Sequence, residues 1–480
     1  MAPPKPQSTL SIIDGGMGIS SGAVIGKSAK IGVSSSGVAG TTYSFAGTDP
    51  QAVIDTLGVG PLVDATIKHL LQSGGKPVLA HKATSSTAGT SSAVTQSGAG
   101  PVVTLSGAPY DQGEGIVEIM LGGARGTATF RYSLDGGDSY SDTYATAATF
   151  LLPNNVTLNF PVGTYVLAET YTWTDTAPAM TLANVQAGFD ALLLLSDDFE
   201  FVHVVGQSAS AADAATLATA LQVKVEAAHA AHKYIFAVME APVDTPANII
   251  AAFPSISAKY VAVCAGFCEL INDRSGGLIQ KRSIGRVVAP RIARNPIDIS
   301  LCRDVADSTL DSHADVVELV PVGAAASTGY YDEDKTGTLN DARFTTMRSI
   351  VGIEGFYITN FLTMAALGSD FEHGMRVRII CAAARAYYTW SLGQLARRLR
   401  KVRATGFILP SVADSLESDA RAAIAAAIGF AVDGIAVRVN RADDLAADPT
   451  VRAKIRVIGP DWAQEIEAEL GFASTLPDAA

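Results

Sequence analysis

Four hundred and eighty residues make about three domains' worth of chain. With 48% hydrophobic and 17% charged residues the chain can bury a large core, which excludes a largely disordered protein. The net charge of −12 argues against bulk nucleic-acid binding. No run of 18 apolar residues offers a spanning helix or stable membrane insertion, and no apolar signal segment opens the sequence. Four cysteines (Cys264, Cys268, Cys302, Cys381) are too few for a disulfide scaffold and suit a reducing cytoplasm.

Residues 1–20 are rich in Pro, Ser and Gly, with one apolar patch at Leu10, Ile12 and Ile13, and read as an extended N-terminal arm. An α/β pattern follows. Residues 30–33 form a short strand; Asp49-Pro50 opens a helix ending at Leu57, and Gly60-Pro61 opens another ending at Leu71. Gly74-Gly75 stops that helix, and 77–81 is a strand. The composition changes at Lys82. Residues 83–180 are filled with Thr, Ser, Gly and Tyr. Alternating runs at 102–105, 116–121, 128–132, 156–160 and 165–173 are separated by turn clusters, which predicts an inserted all-β sandwich or barrel.

After Thr181 the α/β pattern resumes, with helices at 182–195, 209–231 and 248–253 and strands at 201–205, 234–238 and 260–265. The expected fold is a multidomain chain of α/β and α+β parts. A discontinuous α/β core spans 21–82 and 181–340, interrupted by the β insert at 83–180, with strand 77–81 in the same sheet as the three later strands. A C-terminal α+β domain covers 341–463, and a terminal strand or arm covers 464–480.

In the C-terminal third, helices are expected at 374–403 and 416–430, then strands at 435–439, 451–458 and 465–472. Arg452, Lys454 and Arg456 share one strand face; Glu465, Glu467 and Glu469 share another, opposite Ile466, Ala468, Leu470 and Phe472. A row of three cations matches a row of three carboxylates, as cross-strand pairing favours, within one chain or between chains.

Catalytic patterns lack their required parts. Gly18-Ile19-Ser20-Ser21-Gly22 fits a nucleophile elbow but has no strand before it. Gly22 to Ser28 is one residue short of a phosphate loop and leads into a strand. Asp332-Glu333-Asp334 starts like a calcium loop, yet the twelfth position is Arg343 instead of a bidentate Glu. Glu226, His229 and His232 fall at helical spacing but lack further zinc ligands, and read as a solvated helix face. Cys264 and Cys268 read as buried thiols. No metal, cofactor or enzymatic activity is expected. The competing readings are an α/β hydrolase or nucleotide-binding enzyme using the Gly/Ser-rich start, and a surface glycan-binding module built on 83–180.

Contact surfaces remain. Eight cations and no acidic residue lie between Arg376 and Arg403. On the expected helix, Leu392, Leu395 and Leu399 line one face, and Arg397, Arg398, Arg400 and Lys401 fan over the other, with Arg403 just beyond. This exceeds what the helix dipole needs and predicts docking to an acidic protein. Both chain termini suit strand addition to a neighbour's sheet edge.

On several stretches the sequence resembles the tail sheath proteins of contractile bacteriophage tails and related injection systems. These are 31–40 with 49–60 and 74–80; Ile284 to Ala289; Arg348 to Phe371, with Gly355-Phe-Tyr-Ile-Thr-Asn360 and Gly368-Ser-Asp-Phe371, leading into Arg376-Val377; and 451–472. The resemblance implies a homo-oligomer of stacked hexameric rings, a helical sleeve around a tail tube that contracts to drive the tube through a cell envelope. It further implies baseplate and tail terminator partners, assembly in a bacterial host cytoplasm, a place in the virion tail, and no cofactor. Terminal arms would add strands to neighbouring subunits, 83–180 would face outward, and Arg397 to Arg403 would face an acidic tube.

Overall fold

A computed structural model describes residues 24–462 except 85, 207, 254–255, 273–277, 303–315, 321–330, 403, 445–446 and 449. It is a mixed α/β structure with several sheets. The central six-stranded sheet runs in the order Val261–Cys264, Phe236–Glu240, Phe201–Val204, Ser28–Gly32, Val78–Lys82, Thr42–Phe45. The first five strands are parallel, and the Thr42–Phe45 edge strand is antiparallel. The sheet therefore takes strands from both sides of 83–180, and strand 78–82 lies in the same sheet as the three later strands.

Burial of both sheet faces explains why these strands are short apolar runs. One face carries Ala29, Ile31, Leu79, Val202, Val204, Ala237 and Met239, packed under helices Leu182–Leu193, Ala211–Ala230 and Pro246–Ala252. The helix starts were readable from their caps: Asp49 accepts from Gln51 N, and Thr181 and Asn184 form a reciprocal capping box. The other face carries Phe201, Phe236, Val238 and Ala262 under helices Gly285–Arg294 and Gly374–Leu392.

That second face also carries a charged row. Lys30 Nζ lies 3.1 Å from His203 Nδ1, and His203 Nε2 lies 3.2 Å from Glu240 Oε1, all three fully buried. Arg286 Nε, from the covering helix, lies 3.7 Å from the same Glu240 oxygen. The helix approaches so closely that a Cβ on Gly285 would sit 2.9 Å from Glu240 Cγ, so only glycine fits there. Burial lowers the Lys30 amine to about 7, with Glu240 opposing the shift and Arg286 adding to it. Burial also drives the His203 imidazole down to about 4, so it sits neutral between a cation and an anion.

Residues 83–180 form a five-stranded sheet, a three-stranded sheet and a two-stranded ladder around one core that includes Val117, Phe130, Leu158, Phe160, Tyr171 and Trp173. The strands stay in separate sheets and do not close into the barrel allowed by the sequence. The expected strand 165–173 is broken, because Ala168 takes a left-handed φ of 62°. Thr164–Tyr165 pairs with Gly123–Ala124, while Thr170–Asp175 pairs with Gly113–Leu121.

The helix expected at 374–403 ends at Leu392. Leu392 and Leu395 are 46% and 62% exposed, so most of the apolar stripe that would extend it finds no partner, and Ala396 at φ 59° breaks the helical path. The helix expected at 416–430 starts earlier, at Pro410 in the first turn, and runs to Ile428.

One buried ion pair ties the C-terminal region to the sheet. Arg378 Nε donates to Glu200 Oε1 at 2.6 Å, Arg378 Nη1 to Asn295 O at 3.1 Å, and Gly26 N to Glu200 Oε2 at 2.5 Å. Removing one partner strands the other charge in the interior. Glu200→Ala should cost about 3–5 kcal/mol in denaturant unfolding. A second outcome concerns Lys30. Its folded-state value lies below its unfolded one, so the unfolded chain holds the proton more tightly, and stability should rise as pH climbs from about 7 towards 10. Lys30→Met should remove that rise, read as the urea midpoint at about pH 7 and about pH 9.5.

Candidate assembly surfaces

The C-terminal region presents two surfaces built from simple elements. The first is an antiparallel pair, Gly434–Val439 with Ala453–Ile458, in which Ile435 faces Val457, Val437 faces Ile455 and Val439 faces Ala453. The first two pairs pack on helix 410–428 through Ile424 and Ile428, and the third through Ala413 and Leu416. The period-2 alternation read from the sequence therefore holds for both strands: apolar residues face the helix, while Lys454 and Arg456 are exposed on the opposite face. The pair forms a sheet of two strands only, so among the described residues each strand has one edge without a strand partner.

Among the described residues the cation row meets the following groups. Arg452 pairs with Asp443 at 3.3 Å and Asp448 at 2.5 Å. Lys454 lies opposite Arg438, which turns to Glu417 at 3.2 Å, and Arg456 lies opposite Ala436. Like charges face each other across this ladder because helix 410–428 supplies the compensating carboxylate. Glu465, Ile466, Glu467, Glu469, Leu470 and Phe472 lie outside the described residues, as do Leu10, Ile12, Ile13 and Arg403.

The second surface is the basic run. Arg397, Arg398, Arg400 and Lys401 lie beyond the end of helix 374–392 and the turn at 393–396, in irregular backbone and a single bridge between Lys401 and Ile408. They do not fan over a helix face, and the dipole of a helix end does not account for them. Arg397 Nη1 donates to Gln394 Oε1 at 2.8 Å. No acidic side chain among the described residues pairs with any of the four. Leu399 turns inward against the small apolar cluster of Ile408, Ala413, Leu416 and Val439, which fixes the run to the same unit as the two-stranded pair.

Both ends of the described chain are fixed to the body of the protein. Ile25 packs in the cluster that holds Ile297 and Ile379, and Trp462 Nε1 donates to Asp298 O at 3.1 Å. Arg376 Nη2 holds Asp461 Oδ1 at 2.7 Å, fastening the exit point to helix 374–392.

The other motifs resolve into structural roles. Asp332 is the buried cap of the one-turn helix Glu333–Thr336, accepting from Ser349 Oγ at 2.6 Å, and Arg343 Nη1 donates to backbone carbonyls. His229 meets Ile235 O at 2.7 Å, His232 stacks on Tyr388, and Gln222 donates to Glu226. Cys264 and Cys268 are buried, and burial pushes both thiols far up. Among the described residues no group of His, Cys, Asp and Glu is placed to hold a metal, and no helix is long and apolar enough to cross a membrane. Sequence reasoning missed the buried ionisable set Lys30, His203, Glu240, Arg286, Glu200 and Arg378. The available signal was one ionisable residue inside an otherwise apolar strand, as in Phe201-Val-His-Val and Phe236-Ala-Val-Met-Glu.

A family model, DUF2586, N-terminal domain, matches residues 6–362. No curated protein matches the sequence. Among solved structures, the sheath complex of an extracellular contractile injection system (PVC) in its contracted state superposes with a TM-score of 0.51 at 8% identity, covering 99% of each chain. The helical sheath of the anti-feeding prophage (AFP), also contracted, gives 0.50 at 11% identity, covering 97% of this chain and 98% of that one. The chain thus has the fold of contractile sheath proteins.

Proposed function

We propose, for a chain that belongs to the DUF2586 family and carries the contractile-sheath fold, that it is the structural subunit of a contractile tail sheath. The observation that carries this reading is the extent of the fold match, which covers 99% of both chains. The proposed subunit does no chemistry. It polymerises as stacked hexameric rings around a tail tube, with baseplate and terminator proteins at the ends, and is assembled in a bacterial host cytoplasm into a virion tail or a related injection device.

In this reading 21–82 and 181–340 form the core, 83–180 is an outward-facing insert, 341–463 is the inner assembly domain, and 1–20 and 464–480 are linking arms. The open edges of the 434–439 and 453–458 pair accept strands from neighbouring copies, backbone hydrogen bonds supplying the affinity. Exposed Lys454 and Arg456 would meet Glu465, Glu467 and Glu469 of an added strand. The run of Arg397, Arg398, Arg400 and Lys401, which has no acidic partner among the described residues and is extended by Arg403, docks an acidic tube. The extended sheath is held by a kinetic barrier, and strand-linked subunits stay joined while they repack.

Electron microscopy of the purified chain should show uniform hollow tubes. Deleting 1–14 or 464–480 should abolish them while leaving the circular dichroism and unfolding transition intact; truncated chains that still form tubes rule out the linking arms. Reversing Arg397, Arg398, Arg400 and Lys401 to Glu should spare tube formation by the sheath but weaken co-sedimentation with the tail tube, most at low salt. Docking unchanged at low and moderate salt rules out the electrostatic contact.

A further inference from the structure

The β-rich segment 83–180 meets the rest of the chain at a narrow charged joint. Arg282 Nη2 donates to Asp111 Oδ2 at 2.8 Å on the β side and to Asp64 Oδ2 at 3.0 Å on helix Pro61–Gln72. Arg282 Nη1 donates to Gln112 O at 3.2 Å, Gln112 Nε2 donates back to Lys281 O at 2.8 Å, and Lys281 Nζ holds Glu114 Oε1 at 2.6 Å. Arg282, Asp111 and Asp64 are all buried, the side chains at most 8% exposed. A cleft flanks each side of this ridge. One, of about 320 Å³, is lined by Tyr110, Tyr132 and Tyr140; the other, of about 460 Å³, is lined by Asp138, Val243 and Phe267. Both clefts share Gln112, Gly113, Leu134 and Gln280 as their common wall. A thin polar ridge with open volume on either side is the geometry of a pivot.

We propose that Asp111, Arg282 and Asp64 form the pivot on which the β segment turns, and that proton uptake by Asp111 tightens it. One guanidinium serves carboxylates from two bodies: Asp111 is held by Arg282, and Asp64 by Arg282 and Arg286. Other charges surround the joint. Arg286, from helix 285–294, approaches Asp64 only to 3.6 Å. Lys68, on the helix of Asp64, donates to Ile271 O at 3.0 Å. Lys281 is held by Glu114 on the outer side. Glu240, with His203 and Lys30, lies behind Arg286 on the sheet. A proton on Asp111 lets it hydrogen-bond to Asp64 while Arg282 serves the remaining charge.

Burial pushes the Asp111 carboxyl up to about 6; Arg282 pulls it down and the neighbouring Asp64 adds to the rise. When the joint opens, Asp111 gains water and its ordinary acidity returns. The closed joint therefore binds the proton more tightly than the open one, so mild acid favours closure and neutral pH favours opening. This is the reverse of an ordinary salt bridge, which acid releases.

Hydrogen exchange with mass spectrometry on the full chain tests this, after correction for the intrinsic pH dependence of exchange. Peptides covering 108–118 and 278–286 report the joint, and helix 211–230 serves as the reference. From about pH 7.5 to about pH 5, joint protection should rise about tenfold relative to the reference. Asp111→Asn, neutral at both pH values, should show acid-level protection at both. Joint protection that does not change with pH in the wild-type chain overturns the proposal, as does an undiminished pH response in D111N. The wild-type comparison requires no variant, and Asp64→Asn repeats the substitution arm if D111N does not fold.

Discussion

The structure turns on the cost of burying charge in a parallel sheet with both faces covered. Lys30, His203 and Glu240 lie on a face that must accept a helix, and a bulky apolar helix start would leave Glu240 and Lys30 without balance. The chain answers with Gly285 and Arg286 at the start of helix 285–294, so that backbone closeness and a guanidinium arrive together. Arg286 then reaches Asp64, Asp64 shares Arg282, and Arg282 reaches Asp111. A single line of charges thus runs from the middle of the sheet to the root of the β segment.

A second buried pair, Arg378 with Glu200, does for the C-terminal region what Arg282 does for the β segment. The ion pair of the C-terminal region sits within an apolar contact of helix 374–392 with the sheet, whereas the buried anchor of the β segment is polar. A polar, directional anchor lets a part keep its own fold while its arrangement is set by a few contacts. For a subunit proposed to exist in two polymer arrangements, that is a useful property. The assembly surfaces follow the same economy: the two-stranded pair is apolar toward its own helix and leaves backbone edges and cations outward.

The sequence reading succeeded where one local rule settled the matter. Asp49-Pro50, Gly60-Pro61 and the apolar runs at 78–82, 201–204 and 261–264 located their elements to within a few residues, because caps and buried strands carry short-range signatures. It failed at helix 374–392. The Leu392, Leu395 and Leu399 spacing is helical, but a stripe extends a helix only if something packs on it, and Leu392 and Leu395 stand exposed. The same error set the basic run on a helix face. The hairpin of Phe267–Asn272 with Leu278–Ser283 passed unnoticed because its residues alternate weakly, although it carries the arginine that holds the β segment.

What the sequence determined by itself was periodicity and composition: an α/β alternation, a β-rich stretch at 83–180, clean two-residue alternation in the last strands, a cation run free of acids, and a family likeness. These depend on residues close together in the chain. Only the tertiary structure decided which charges meet. Lys30 and His203 are 173 residues apart, Arg282 and Asp64 218, and Arg378 and Glu200 178. Arg452 also turned out to pair with nearby Asp443 and Asp448. Ion pairing depends on distance and burial, and those quantities exist only once the chain has folded.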